Sequence, residues 1–151
     1  MLYVGLPALG LIWLYLLPVG RTWVEYTICV VAAADIAAYA VGRLVGGPKL
    51  WRRVSPGKTW AGLVGACLAA TAASVAVTPY IHTAPTRAAI AGLLLGALAQ
   101  GGDLFESWLK RRAGVKDSGT LLPGHGGVLD RLDSLIPVAP VVAGAVWLGW
   151  L

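Results

Sequence analysis

Asp103, Glu106, Asp117, Asp130 and Asp133 crowd one stretch of this sequence, leaving only Glu25 and Asp35 of its 7 acidic residues elsewhere. Asp103 and Glu106 are three residues apart, and Ser107 and Lys110 follow at spacings of four and seven from Asp103. On a helix all four project from one face. Glu106 and Lys110 alone could be an ordinary i,i+4 ion pair closing a helix. The segment that follows asks for more. It reads KDSGTLLPGHGGVLDRLD over 116–133, with Gly124, Gly126 and Gly127 flanking His125. Glycines there let the backbone turn sharply and bring its N–H groups to an anion. Asp130 and Asp133 are again three apart, where another helical stretch opens. A cap accounts for Asp133 or Ser134. It does not account for two aspartates, an arginine and a Gly-flanked histidine together. Hard oxygen donors beside Lys and Arg suit Mg²⁺ held jointly by carboxylates and ligand phosphates. Such ions neutralise charge on transferring phosphoryl groups. His125 has no second His or Cys at ligand spacing, which argues against zinc. Contacting a phosphate or fixing the loop fits it better.

A second polar cluster, SPGKTW over 55–60, places Lys58 and Thr59 at the start of a helical stretch, where N–H groups and the helix dipole favour anions. Its glycine spacing is not that of a Walker loop. Trp60 reads as an interfacial anchor. Asp35 sits deep in an apolar run, with Tyr39, Gly42 and Arg43 at helical spacing below it as a polar stripe. An ionisable residue in such a run is paired or functional by default.

The elements that must position these groups are apolar. Of 151 residues, 58% are hydrophobic and 13% charged, against about 45–50% and about 25% in soluble domains. Twenty Gly and seven Trp fit a membrane chain. A span needs about 20 apolar residues, and five candidates emerge, at 2–19, 23–45, 60–81, 88–108 and 134–151. The expected fold is therefore an all-α, polytopic transmembrane bundle forming one domain over 1–151. Polar connections run over 46–58 and 110–131. No internal repeat, low-complexity tract or cleavable signal peptide is visible. Cys29 and Cys67 lie in apolar runs and read as small buried residues. Of the 12 Lys and Arg, all but Arg21 and Arg87 fall on the side that carries the two long connections. The positive-inside rule puts that side, with its polar site, in the cytoplasm, the N-terminus inside and the C-terminus outside. The net charge of +5 suits head groups rather than a nucleic-acid polymer, since no reader motif accompanies it.

SWLKR at 107–111, Lys116 and Asp117, then LPGHGGVLDRLD at 122–133 resemble the signature of the phosphatidate cytidylyltransferases, or CDP-diacylglycerol synthases. DIAAYAVGR at 35–43 and SPGKT at 55–59 resemble theirs in the same order. The resemblance runs from about Trp23 to the end and matches the C-terminal half of that family, whose members are usually longer, with more N-terminal spans. Gly57 stands where a second Lys is common, and Ala61 where a Glu is expected.

The resemblance implies transfer of a cytidylyl group from CTP to phosphatidate in a bacterial inner membrane, yielding CDP-diacylglycerol and pyrophosphate for phospholipid biosynthesis. A homodimer would fit it as well. Its implied catalytic set is Asp103, Asp130, Asp133, Lys110 and Arg131. Asp103, Asp130, Asp133 and Glu106 would hold Mg²⁺, with room for a second cation. Ser55, Lys58, Arg111, Lys116 and His125 would contact phosphates, and Asp35 would support the site. Two other readings remain open: a truncated, non-catalytic relative that binds lipid or nucleotide, and a CTP-dependent enzyme for an isoprenoid lipid.

Overall fold

A computed structural model describes residues 2–115 and 129–151. The chain is mostly helical. Helix α1 (Leu2–Tyr15) turns through 16–19 into α2 (Gly20–Leu44), and two strands, β1 (Lys49–Trp51) and β2 (Ser55–Thr59), lead to α3 (Trp60–Ala76). The short α4 (Thr78–Ile81) and the long α5 (Pro85–Arg112) follow; α6 (Leu129–Leu132) and α7 (Leu135–Trp147) complete the described chain.

Helices α2 and α5, of 25 and 28 residues, are long and apolar enough to cross a membrane. At 1.5 Å per residue α2 reaches roughly 37 Å, beyond the ~30 Å of hydrocarbon. Only 28% of the apolar window of α2 and 44% of that of α5 is buried, whereas a soluble protein would hide such helices in its core. Val4, Leu9, Ile28, Ile36, Leu68 and Leu94 all point outwards and are more than half exposed. The chain is a membrane protein on these grounds. Helices α1, α3 and α7 are apolar but shorter, and α4 is broken off from α3 at Val77. The five expected stretches therefore yield two helices of spanning length. Cys29 corrects the expectation of a buried thiol, being exposed on α2, while Cys67 is half-buried.

The connection over 46–58 carries a hairpin that an all-α reading omits. Gly46 and Gly47 adopt φ of 67° and 92°, a conformation open to glycine at little cost. They lead the chain out of α2 into β1, and a turn over 52–54, closed by the Val54 N–H donating to Trp51 O at 3.2 Å, reverses it so that Lys49 pairs with Thr59 and Trp51 with Ser55, antiparallel. The Trp60 N–H donates to Pro48 O at 3.1 Å. Thr59 then caps α3, its Oγ1 accepting from the Gly62 N–H at 3.0 Å, so the hairpin and the helix start share one residue.

Helix α3 packs between α2 and α5, and α1 lies along α7. Small residues make the α3 contacts close. A methyl built on Gly62 would stand 2.7 Å from Ala38 O, and one on Gly92 would stand 2.6 Å from Ala70 O. Tyr26, Val30, Ala34, Ala66, Ala70, Leu95, Ala99 and Val138 form the interior. One buried polar chain crosses it, with Ser74 Oγ donating to Ala88 O at 2.6 Å and meeting Tyr26 Oη at 2.8 Å.

Candidate active site

Four parts of the chain meet around a cavity of about 760 Å³, within the ~300–1,000 Å³ common for ligand sites. Helix α2 supplies Asp35, Tyr39, Gly42 and Arg43, the stripe expected from their spacing. The hairpin supplies Lys49, Ser55, Gly57 and Lys58, α5 supplies Gln100 and Asp103, and the α6–α7 corner supplies Asp130, Asp133 and Ser134.

The close approach of that corner to α5 depends on Gly102. A methyl there would stand 2.5 Å from Pro137 Cγ and 2.7 Å from Asp133 O. A side chain at 102 would therefore lever Asp133 away from Asp103.

Lys58 organises one wall. Its Nζ lies 2.8 Å from Asp103 Oδ2, 3.0 Å from Gln100 Oε1 and 3.1 Å from Gln100 O. An ammonium has three donors, and these acceptors can use all of them. Gln100, 4% exposed, donates its Nε2 hydrogen to Asp35 Oδ1 at 3.0 Å. Ser134 Oγ reaches the same oxygen at 3.1 Å and Asp133 Oδ1 at 3.3 Å, so its single proton is shared. The Ser134 N–H donates to Asp133 Oδ1 at 2.7 Å. A polar chain thus runs from hairpin to α5 to α2 to the α6–α7 corner.

Lys110 organises the second wall, 2.8 Å from Asp130 Oδ1 and 3.3 Å from Glu106 Oε1. Glu106 is 2% exposed. Among the described residues its oxygens lack a hydrogen bond of good geometry, and the ion pair with Lys110 holds it. The i,i+4 pair exists, but it shares its lysine with Asp130 across a gap of 20 residues. Burial pushes the Asp133 carboxyl up to about 6, and the neighbouring Asp103 and Asp35 carboxylates add to the rise.

Asp35, Ser55, Lys58, Asp103, Asp130 and Asp133 are thus brought to one cavity, with Lys110 bound to its rim through Asp130. Glu106 lies behind that rim. Arg111 is exposed in the last turn of α5 and does not line the cavity. Lys116, His125 and the Arg131 side chain lie outside the described residues. Among those described, no three carboxylate, His or Cys groups stand close enough to hold one metal ion together; lysines sit against Asp103 and Asp130 instead.

The donor set still fits a hard cation in kind. Asp35, Asp103, Asp130 and Asp133 face the cavity beside Arg43, Lys49 and Lys58, and the mutual repulsion registered at Asp133 is what a divalent ion relieves. Sequence reasoning left Gln100, Ser134 and Lys49 out of the site. The signal for Gln100 was a lone amide in a long apolar helix; Ser134 was visible only as a helix cap.

The model of the cytidylyltransferase family matches residues 1–148. The chain belongs to the cytidylyltransferase family. It is 49% identical over 127 residues to the phosphatidate cytidylyltransferase of Brucella suis biovar 1 (strain 1330), covering 83% of this chain and 47% of that protein. The phosphatidate cytidylyltransferase of Pseudomonas aeruginosa (strain PAO1) is 44% identical over 146 residues, covering 93% and 54%. That of Rickettsia bellii (strain RML369-C) is 37% identical over 150 residues, covering 94% and 65%. This cytidylyltransferase-family chain thus spans 47% to 65% of the length of these three relatives.

Proposed function

We propose that the site transfers the cytidylyl group of CTP to the phosphate of phosphatidate, forming CDP-diacylglycerol and releasing pyrophosphate. The observation that carries this reading is the cavity itself. Cations and carboxylates from four chain segments meet in it, on a bundle whose outside is apolar. The names of the relatives support the choice of CTP and phosphatidate.

The chemistry asks little acid–base work of the protein. A phosphate monoester has its second pKa near ~6, so the attacking oxygen is already largely unprotonated at neutral pH. It displaces pyrophosphate from the α-phosphorus, and the electrons of the broken P–O bond leave with pyrophosphate. The barrier lies in bringing anions together and holding the charge that moves to the leaving group. Arg43, Lys49 and Lys58 supply positive charge on the cavity wall, and Lys58 is aimed by Gln100 and Asp103. Lys110 fixes Asp130. Ser55 is placed to bind a phosphate oxygen, and Lys116, His125 and Arg131 are assigned the same work. Asp103, Asp130 and Asp133, with Glu106 behind them, would hold Mg²⁺ by drawing together around it, since no three of the described carboxylates stand close enough to share one ion. When bound, the ion would supply charge neutralisation at the α-phosphate and the pyrophosphate. Asp35 positions Gln100 and Ser134.

The same reading places the cavity at the cytoplasmic face of a bacterial inner membrane, in a five-span bundle in which α1, α3 and α7 also cross, and it allows a homodimer. Lys and Arg asymmetry supports the orientation.

The test uses purified protein, phosphatidate, Mg²⁺ and CTP labelled in the α-phosphate. Label should enter the organic phase and be lost on Asp130→Asn. A folded protein that binds CTP without transferring label overturns the reading in favour of a non-catalytic relative. Label that moves only to an isoprenoid phosphate overturns the choice of lipid.

A further inference from the structure

A second, apolar cavity of about 380 Å³ lies between α1, α5 and α7. Leu6 and Pro7 of α1, Leu98 and Gly101 of α5, and Ile136 and Pro140 of α7 line it. Leu6 is 53% exposed, so the groove opens on the same outer surface that faces lipid.

Three features distinguish it from ordinary outer surface. First, it shares a wall with the candidate active site. Gly102 and Pro137 line the groove, while their neighbours Asp103, Asp133 and Ser134 line the polar cavity. Second, Tyr3 lines the groove with a buried hydroxyl that has no hydrogen-bond partner among the described residues. That oxygen is within electrostatic reach of Glu106, Asp133 and Lys110. A buried polar group without a partner is costly and rare in native structures. Here it stands where a groove of hydrocarbon character ends beside the charges of the site. Third, the α5 face that lines the groove continues as an aromatic ladder. Tyr3 and Phe105 have ring centroids 6.1 Å apart, and Phe105 stacks on Trp108 at 5.9 Å. Arg112 lies 5.3 Å over the Trp108 ring. Aromatic rings with a basic residue mark head-group depth in membrane helices.

We infer that this groove seats an acyl chain of the phosphate-bearing lipid, with the Tyr3 hydroxyl donating to an oxygen of its head. The inference rests on the reading that the acceptor is a phosphorylated lipid. It adds the route by which that lipid is held: hydrocarbon between α1, α5 and α7, phosphate towards Lys110 and Asp130.

Gly101 gives a clean perturbation, because a methyl built there meets nothing within 4 Å. Gly101→Leu therefore starts its side chain in open groove space and extends it into the groove. The full chain in nanodiscs is irradiated with phosphatidate carrying a diazirine on one acyl chain, and adducts are mapped by mass spectrometry. Adducts should fall on 98–105 and 136–140, and drop roughly tenfold in Gly101→Leu, as expected when a groove burying a few methylenes is blocked. Tyr3→Phe, which keeps the ring, should weaken labelling by about threefold, the worth of one modest hydrogen bond. In the transfer assay Gly101→Leu should raise the KM for long-chain phosphatidate and shift preference to short chains. A groove that stays unlabelled, labelling indifferent to both variants, or equal labelling by a diazirine phosphatidylcholine overturns the inference. Groove labelling without cytidylyl transfer would leave this inference standing and remove the proposed activity. Transfer with an unlabelled groove would do the reverse.

Discussion

Gln100→Leu is the substitution that most directly tests how the site is held. Gln100 is 4% exposed and its amide makes two contacts to charged groups, accepting from Lys58 Nζ at 3.0 Å and donating to Asp35 Oδ1 at 3.0 Å. Leucine keeps the bulk and the backbone carbonyl that also accepts from Lys58, so the change isolates the amide. Hydrogen bonds to charged groups contribute about 1.5–3 kcal/mol each. Lys58 keeps Asp103 and the carbonyl, and Asp35 keeps Ser134. Water reaches both partly exposed groups, so the combined loss should be about 2–3 kcal/mol rather than the full sum. At ~2–4 °C per kcal/mol for a chain of this size, the melting temperature in detergent should fall by about 5–10 °C. Loosening Lys58 and Asp35 together should also lower kcat/KM for CTP by about tenfold to a hundredfold, the range of 1.4–2.8 kcal/mol of lost transition-state stabilisation. A variant that melts within about 1 °C of the parent, with kcat/KM within about twofold, lies inside the range of an ordinary surface change. That result would refute the claim that this amide joins the hairpin to α2.

The other predictions concern charge. Lys110→Met leaves Glu106 buried without its cation, which should cost about 3–5 kcal/mol; adding Glu106→Gln should recover part of it, read as a coupling in a double-mutant thermal-melt cycle. Asp133 binds its proton more tightly folded, at about 6, than unfolded at about 3.9, so its ionisation lowers stability as pH rises through that interval. Asp133→Asn should then melt higher than the parent at pH 7.5 by about 2–4 °C, corresponding to about 1 kcal/mol after allowance for solvent screening. The gap should close between pH 6 and 4 on a thermal-shift pH series, while cytidylyl transfer is lost at every pH. Arg43, whose Nη1 donates only to Tyr39 Oη among the described residues, should act on phosphate rather than on the fold. Arg43→Gln should raise the KM for CTP by about tenfold, the worth of one charge-assisted contact, with a melting temperature within about 1 °C of the parent.

The carboxylates of the site were legible in the sequence because charge in an apolar chain is expensive and therefore conspicuous. Asp35, Asp103, Asp130 and Asp133 reach one cavity from positions up to 98 residues apart, as the difference between 35 and 133 shows. Helical spacing also predicted the Asp35, Tyr39 and Arg43 stripe. What spacing could not show was the partner of each charge. Lys58 lies 42 residues from Gln100, and no local pattern announces a bond of that separation. Neutral Gln100 and Ser134 carry little insertion penalty, so nothing in the composition flagged them. The hairpin was hidden for another reason. Its three- and five-residue strands are too short for a period of two to register, and β2 contains Pro56 and Gly57, both poor strand formers. Arg111 was drawn into the expected phosphate set by its neighbours in sequence, but a helix turns 100° per residue and carries it off the face that Lys110 occupies.

The tight seating of α3 has a consequence for how this site can be damaged. α3 is a shim whose thickness is fixed by glycine and alanine, and it sets the spacing at which α2 and α5 face each other across the polar chain. Thickening it by one carbon at Gly62 would press on Ala38 O, one turn from Asp35; thickening its contact at Gly92 would press on Ala70 and Thr71 from the other side. Neither position lines the cavity, yet each change would be delivered to it as a displacement of a helix, against hydrogen bonds with tolerances of a few tenths of an ångström. The residues that govern the accuracy of the site thus extend along a helix that contributes no side chain to it.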